Sequence, residues 1–498
     1  MIAIVVYLLV MLYIGYLCSK KNKNTDDFYL GGRHLGPIVT AMSAEASDMS
    51  SWLLMGLPGV AYLTGIADAG WTAIGLAIGT YINWLLVARR IRRYSSHIGA
   101  ITIPDFFSKR YHDDKNMLCG LAAVVILIFF IPYTASGFAA CGKLFGTLLG
   151  GNYMSSMLIS AAVIVFYCTM GGFLAASTTD LIQSIVMTVA LIAVLLFANA
   201  KAGGVSAVME NAKGLSGYLS MVASHDAATG AAKPYGFLTV VSTMAWGLGY
   251  FGMPHILLRF MAIENEKKLT MSRRIASIWV VISMFIAIVI GVVGLAVSKA
   301  GAIGTLEGTA SETIIVKIAD LMSREGVLAA LLAGVVLAGI LAATMSTSDS
   351  QLLAAASSVS QNLMQDFFHI KMSQKTTMVV ARLTVIVISL IAVFLARDPN
   401  SSVFGIVSFA WAGFGAAFGP VVLAALFWKR SNKYGALAGM IVGGAMVFVW
   451  KYCIRPLGGA WNIYELLPAF LAACVAIVVV SLLTTAPSAA VVKEYETV

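Results

Sequence analysis

The sequence predicts an all-α polytopic membrane protein with about 13 transmembrane helices, and three observations lead there. Only 11% of the 498 residues are charged and 59% are hydrophobic, where a globular chain runs nearer a quarter charged. Mean hydropathy is +0.88. Apolar stretches of about 20 residues recur along the whole chain, each long enough to cross a hydrocarbon core of about 30 Å. The net charge of +10 is explained by basic loop residues. No basic patch on a soluble domain points to nucleic acid.

The first stretch, 2–18, has no basic region ahead of it and no cleavage site, so it reads as a retained helix rather than a signal peptide. The second, 36–63, holds the densest polar run of the chain, Ser43-Ala44-Glu45-Ala46-Ser47-Asp48-Met49-Ser50-Ser51. Spans at 68–88, 117–147, 154–175 and 179–200 follow. A connection at 201–235 leads to 236–257 and 275–298. A second connection, 299–325, precedes 326–352, 378–396, 402–427, 434–453 and 462–484. Both connections have room for short surface helices, with Gly304-Thr305 and Gly308-Thr309 as turns. The polar tail after Ala486 reads as disordered. No P-loop run suggests ATP drive. The cysteines Cys18, Cys119, Cys141, Cys168, Cys453 and Cys474 form no CxxC, so neither a disulfide framework nor a zinc site is indicated.

An odd span count puts the termini on opposite faces. With the N-terminus outside and the C-terminus cytoplasmic, 23 of the 33 basic residues fall on the cytoplasmic side. They include Lys20, Lys21, Lys23, Arg33, the run Arg89-Arg90-Ile91-Arg92-Arg93, and Arg259 at the end of the seventh span.

Charges within a bilayer are costly and usually mark an ion or substrate path. Glu45, Asp48 and Asp349 lie inside apolar stretches. Ser43, Ser47 and Ser50 share a helical face, and the small, hydroxyl-bearing surroundings favour a helix break that frees carbonyls for Na⁺, a hard cation. The serines alone read as close helix packing; the two acids tip the reading to function. In the ninth span Ser346, Asp349 and Ser350 share a face, with Thr347 one step round. That is an oxygen cage for a monovalent cation, or a packing face with Asp349 snorkelling to the cytoplasmic end. Asp180, after Ser177-Thr178-Thr179, reads equally as an ordinary helix cap. In the seventh span Gly247, Gly249, Gly252 and Pro254 disfavour a continuous helix, and Trp246, Tyr250 and Phe251 supply aromatic walls for a pocket. Tyr133 follows Pro132 inside the fourth span. His255 reads as a structural hydrogen-bond partner. The glycine-rich run 412–420 reads as close helix packing. A channel would need a continuous polar stripe, and the polar residues cluster at one depth instead. A membrane-embedded enzyme would need a base beside a nucleophile, and neither cluster holds a histidine.

The stretches SAEASDMSSWLLMGLPG (43–59), GGFLAASTTDLIQ (171–183), MAWGLGYFGMPHILLRFMA (244–262), AATMST (342–347) and AWAGFGAAFGPVVL (410–423) resemble the sodium:solute symporter family, in order along nearly the whole chain. The resemblance implies a LeuT-like core, an inverted repeat of five plus five helices. It divides the chain into a first helix and cytoplasmic loop (1–35), the first repeat (36–200), an extracellular connection (201–235), the second repeat (236–430), and two C-terminal helices with a short tail (431–498). It implies Na⁺-driven uptake of L-proline through the lipid bilayer of the cell membrane by alternating access, with no obligatory protein partner. The alternative is a Na⁺ or H⁺ symporter for another small carboxylate or solute. Carried over, the Na⁺ site takes carbonyls of Ala46, Met49 and Ala343 and hydroxyls of Ser346 and Thr347. Asp48 matches the acid needed for Na⁺-dependent binding. Tyr133, Trp246, Tyr250 and Pro254 match the proline pocket, and Ser50 its first-repeat wall. Asp180, Ser346, Asp349 and Ser350 match a second cation site found in two-sodium relatives. Three departures stand out: Glu45 where close relatives carry a neutral residue, Ser51 for a common Gly, and Met253 for a common Gln. Glu45 is therefore the candidate coupling residue, through cation affinity, ion choice or H⁺ coupling, and Met253 bears on substrate choice.

Overall fold

The computed structural model describes residues 2–20 and 25–497. Lys21 and Lys23, counted above with the cytoplasmic charges, lie outside the described residues. In chain order the helices are α1 (Ile2–Ser19), α2 (Thr25–Leu30), α3 (Pro37–Asp48), α4 (Leu57–Thr64), α5 (Ile66–Ile82), α6 (Ala88–His97), α7 (Ile103–Arg110), α8 (Met117–Leu149), α9 (Tyr153–Lys201) and α10 (Val205–Lys213). A two-stranded antiparallel hairpin, β1 (Ala223–His225) and β2 (Ala232–Pro234), interrupts the series. Then come α11 (Phe237–Met244), α12 (Pro254–Ala262), α13 (Leu269–Lys299), α14 (Ile314–Ser323), α15 (Val327–Ser357), α16 (Gln374–Leu395), α17 (Val403–Phe427), α18 (Lys433–Val449), α19 (Leu466–Leu483) and α20 (Ala489–Thr497).

Among the described residues, nine helices are long and apolar enough to cross a membrane. Four shorter apolar helices, Ile2–Cys18, Trp52–Thr64, Tyr153–Thr169 and Phe237–Phe251, fall where the first, second, fifth and seventh spans were expected. Two of these are short because their spans are broken. α3 stops at Asp48, Met49 leaves helical geometry with ψ 63, and the chain resumes as a π turn at Trp52–Gly56 that runs into α4. α11 tightens into a 3₁₀ segment, Ala245–Phe251, before Met253 extends and Pro254 opens α12. Proline suits that first position because its missing N–H has no helical partner there. The fifth and sixth spans meet without a loop: α9 is interrupted at Gly172, whose φ of 67 only glycine adopts freely.

α15 packs against α9, α8 and α3, so the ninth span touches both the sixth and the first half of the second. α17 packs on α8, α18, α19 and the 3₁₀ segment, and α1 lies outside on α9 and α15. Both long connections carry helices, α10 and α14.

The expectation of a disordered tail is overturned. α20 lies along the face that bears the basic loops. His112 and Glu494 are 3.0 Å apart, and the Tyr495 ring sits 5.5 Å from the Arg90 guanidinium and 5.2 Å from that of Arg110. Val491 is buried. A short polar segment can order when arginines offer an aromatic ring a cation–π surface. On the same face the Arg93 guanidinium holds the carboxyl of Glu266 below the usual carboxylate range.

Candidate functional site

The two broken spans meet at Asp48. This residue is fully buried, and its Oδ2 accepts a hydrogen bond from the Tyr250 hydroxyl at 2.6 Å. Its carbonyl, released by the break, accepts from Ser50 N–H at 2.7 Å, Trp52 Nε1 at 3.3 Å and the Tyr133 hydroxyl at 3.3 Å. Oδ1 has no partner among the described residues. Buried polar atoms are almost always paired, so an open carboxylate oxygen beside a helix break suits an arriving cation.

Two residues earlier the Ala46 carbonyl accepts from the Ser346 hydroxyl at 2.8 Å, joining α3 to α15. The Ala343 carbonyl accepts from Ser346 at 3.1 Å and from Thr347 at 3.2 Å. Ala46, Ala343, Ser346 and Thr347 are thus brought together as carbonyls and hydroxyls, and Met49 stands at the break itself. All-oxygen donors without a charged ligand fit a hard monovalent cation.

The Tyr250 side of the contact with Asp48 is aromatic. Trp246 is buried in the 3₁₀ segment, with Trp52, Phe404 and Trp411 ring centroids 6.0, 5.3 and 6.2 Å away. Trp411 Nε1 donates to the Trp246 carbonyl at 2.7 Å, and Asn83 Nδ2 donates to the Tyr250 carbonyl at 3.0 Å. These side chains satisfy backbone groups that a regular helix would have paired. Gly249 is required here, because a Cβ would land on the Trp411 indole nitrogen. Ser50 lies at the facing break and accepts from Trp52 N–H at 3.4 Å. Pro254 starts α12 on the far side of the 3₁₀ segment.

The Glu45 carboxylate is buried and turned to the third span. Trp84 Nε1 donates to it at 2.9 Å and the Thr80 hydroxyl at 3.5 Å, both from the third span. His255 does not behave as expected: both ring nitrogens are buried without a partner among the described residues, and the ring packs on Phe130.

Asp180 is no helix cap. The helix of its span begins at Gly172, so Asp180 lies two turns inside. Its Oδ2 accepts from the Ser43 hydroxyl at 2.6 Å and from Arg259 Nη2 at 3.1 Å. Arg259, counted above with the cytoplasmic charges, is 1% exposed and also donates to Ser350 at 2.6 Å and Ser43 at 3.0 Å. Asp349 does not snorkel out. It is 4% exposed, with one oxygen on the Ser350 hydroxyl and Oδ2 open. Burial of Arg259 and Asp180 without loss of charge requires the pairing that they make with each other.

Side-chain and backbone contacts tie the spans together on both faces. On the basic face Arg33 donates to the carbonyls of Met261 and Ala100, at 2.7 and 2.6 Å, and Leu35 N–H to the Ala262 carbonyl at 3.1 Å. On the opposite face Glu312 accepts from Lys143 at 2.6 Å, from Ser402 at 2.9 Å, and from the N–H groups of Val403 and Phe404. That carboxylate caps α17, where a negative group suits the helix N-terminus. Sequence reasoning missed Arg259, Lys143 and Glu312, although the rule for intramembrane charge that found Asp48 applies equally to Arg259 and Lys143.

The model of the sodium:solute symporter family matches residues 28–443. The chain is 40% identical over 490 residues to the osmoregulated proline transporter OpuE of Bacillus subtilis, covering 98% of this chain and 96% of that one. It is 41% identical over 496 residues to the sodium/proline symporter of Escherichia coli, covering 98% and 94%. Among solved structures it resembles a substrate-bound, outward-open Na⁺-coupled sialic acid symporter, with TM-score 0.79 at 17% identity and 98% of each chain covered. MhsT in complex with L-phenylalanine gives TM-score 0.54 at 16% identity, covering 90% of this chain and 98% of that one. At such identity these two likenesses speak for the fold, the LeuT-like arrangement.

Proposed function

The chain belongs to the sodium:solute symporter family, and from that premise we propose that it imports L-proline together with Na⁺ by alternating access. Relatives named as proline transporters at about 40% identity support the choice of solute. The observation that carries the mechanism is the 2.6 Å hydrogen bond from Tyr250 to Asp48, which joins the aromatic side of the site to the ion side.

Na⁺ would be held by carbonyls of Ala46, Met49 and Ala343 and hydroxyls of Ser346 and Thr347. Their hydroxyl protons now point at carbonyls of the same set. Na⁺ would take over those oxygens and tie α3 to α15. Asp48 adds a negative charge beside the break and orients Tyr250. Tyr250 with Tyr133, Ser50, Trp246 and Pro254 would then frame the proline. The shared hydrogen bond couples the two sides, and linkage then requires proline to tighten Na⁺ binding by the factor with which Na⁺ tightens proline binding. An inward Na⁺ gradient then drives uptake, with the potential adding about 2.3 kcal/mol per charge at 100 mV. The face bearing Arg89–Arg93 is taken as cytoplasmic, with the N-terminus on the other side.

For the second cation site the guanidinium of Arg259 is a tethered cation already seated between Asp180 and Ser350. A second Na⁺ would be confined to the Asp349 side, with Ser346. Glu45, held by Trp84 and Thr80, acts on Na⁺ from outside its ligands, through charge and through the seating of the third span.

The test is uptake of labelled L-proline into proteoliposomes, with and without a Na⁺ gradient, against a competition panel of amino acids. Na⁺-stimulated uptake that proline outcompetes best supports the reading. Na⁺-stimulated uptake of another solute, with proline inert, replaces the substrate.

A further inference from the structure

The connection between α18 and α19 lies outside the ten spans that the family resemblance assigns to the core, yet it reaches into the site. Tyr464 is 8% exposed. Its ring stacks on Trp246, with centroids 5.2 Å apart and planes at 22°. Its backbone N–H donates to the Ser242 hydroxyl of α11 at 2.8 Å. Its own hydroxyl donates to the Ser408 carbonyl of α17 at 2.7 Å. This one residue therefore joins α11 through its backbone and α17 through its hydroxyl, while its ring covers one face of the indole between them.

The rest of the connection holds that tyrosine down. Glu465 is fully buried and accepts from Arg455 at 2.9 Å, with Lys451 at 3.7 Å. Leu466 then packs beside Gly415, where the Gly249 backbone also approaches. A buried carboxylate fixed by two cations is a rigid anchor, because leaving it unpaired would be costly. Of the four rings around Trp246, those of Trp52, Phe404 and Trp411 come from core spans, and Tyr464 alone arrives from the later connection. Its stack is the nearest to coplanar of the four, at 22° against 33°, 45° and 32°.

We propose that Tyr464 is a positioning residue for the substrate site: it fixes the plane of Trp246 and thereby the ring size that the pocket prefers. This rests on Trp246 as a wall of the proline pocket. The contact is a face-to-face one between rings, so it constrains tilt rather than depth. A bound imino acid would meet the Trp246 surface at an angle that Tyr464 sets. The tyrosine itself need not touch the solute.

The experiment uses the full chain in proteoliposomes with labelled L-proline, and competition by imino acids of four-, five- and six-membered rings. The variants are Tyr464→Ala, Tyr464→Phe and Trp246→Ala. Loss of one aromatic stack should raise the proline KM about three- to tenfold in Tyr464→Ala, flatten the preference for the five-membered ring, and leave maximal rate and half-saturating Na⁺ within about twofold. Tyr464→Phe keeps the stack and should restore ring preference. If Tyr464→Ala does not reach the membrane, Tyr464→Leu carries the same comparison. An unchanged KM and ring preference in Tyr464→Ala, with a raised KM in Trp246→Ala, overturns the role of Tyr464 and leaves the pocket standing. An unchanged KM in Trp246→Ala overturns the pocket reading itself. A fall in maximal rate with KM and ring preference intact marks Tyr464 as support for the fold and overturns its positioning role.

Discussion

The second and seventh spans both break, and they break for different reasons. At Asp48–Ser50 the cause is polar. Short hydroxyl and carboxylate side chains compete for the backbone, and the freed Asp48 carbonyl is taken by Trp52 and Tyr133. At Ala245–Met253 the cause is steric. Glycines let Trp411 and the third span come close, and Pro254 forbids continuation. The first break thus exposes oxygens, and the second exposes aromatic faces. In the proposed reading the freed oxygens serve the ion and the aromatic faces serve the solute, and a short hydrogen bond from Tyr250 to Asp48 connects the two breaks.

That division sets out what each substitution should do. Asp48→Asn removes the charge from the polar break and should abolish Na⁺-stimulated uptake, a loss of about a hundredfold or more. Full Na⁺ dependence in this variant, measured in proteoliposomes, would mean that the ion site lies elsewhere. Ser346→Ala combined with Thr347→Ala removes two oxygens from the ion side only. Half-saturating Na⁺ should rise at least about tenfold, on the order of 1.5 kcal/mol or more for contacts to a charge. Proline affinity at saturating Na⁺ should stay close to wild type, and a matching loss there would blur the division.

Tyr250→Phe cuts the connection and spares both sides. The mutual enhancement of Na⁺ and proline binding should fall about tenfold, since a hydrogen bond to a charged acceptor contributes about 1.5–3 kcal/mol. Binding isotherms for each ligand with and without the other measure this directly, and undiminished enhancement would break the comparison. Glu45→Gln sharpens it at the small end. The amide keeps an acceptor for Trp84 while losing the charge, so half-saturating Na⁺ should rise only about two- to threefold, a shift expected of a charge outside the ligand set. A change as large as that of Asp48→Asn would place Glu45 in the ion path itself.

Both breaks were legible in the sequence because their causes are local: a cluster of short polar residues in one, glycines and a proline in the other. The hydroxyls of the ninth span were legible locally, but the contact of Ser346 with Ala46 was legible only through the family resemblance, since nothing local ties two residues so far apart. Asp180 was open to misreading because its helix starts at Gly172, and the positive φ there is not visible as sequence. Arg259 was assigned to the loop charges by its place at a span end, whereas its real partners, Asp180, Ser43 and Ser350, come from three other spans. The docking of α20 depends on Arg90 and Arg110, far back in the chain, so composition alone gave disorder. Tyr464 illustrates the same limit, being an ordinary loop tyrosine until the fold sets it against Trp246.

The tryptophans around the second of these breaks give the protein a reporter of its own. Trp246 lies 6.0 Å from Trp52 and 6.2 Å from Trp411, with ring planes at 33° and 32°. Excited states of indoles this close couple, and the coupling depends on their separation and mutual orientation. Trp52 belongs to the second span and Trp246 to the seventh, so a movement of one broken span against the other would change that coupling and with it the circular dichroism. The cycle can then be followed in the unlabelled protein by the light that it absorbs.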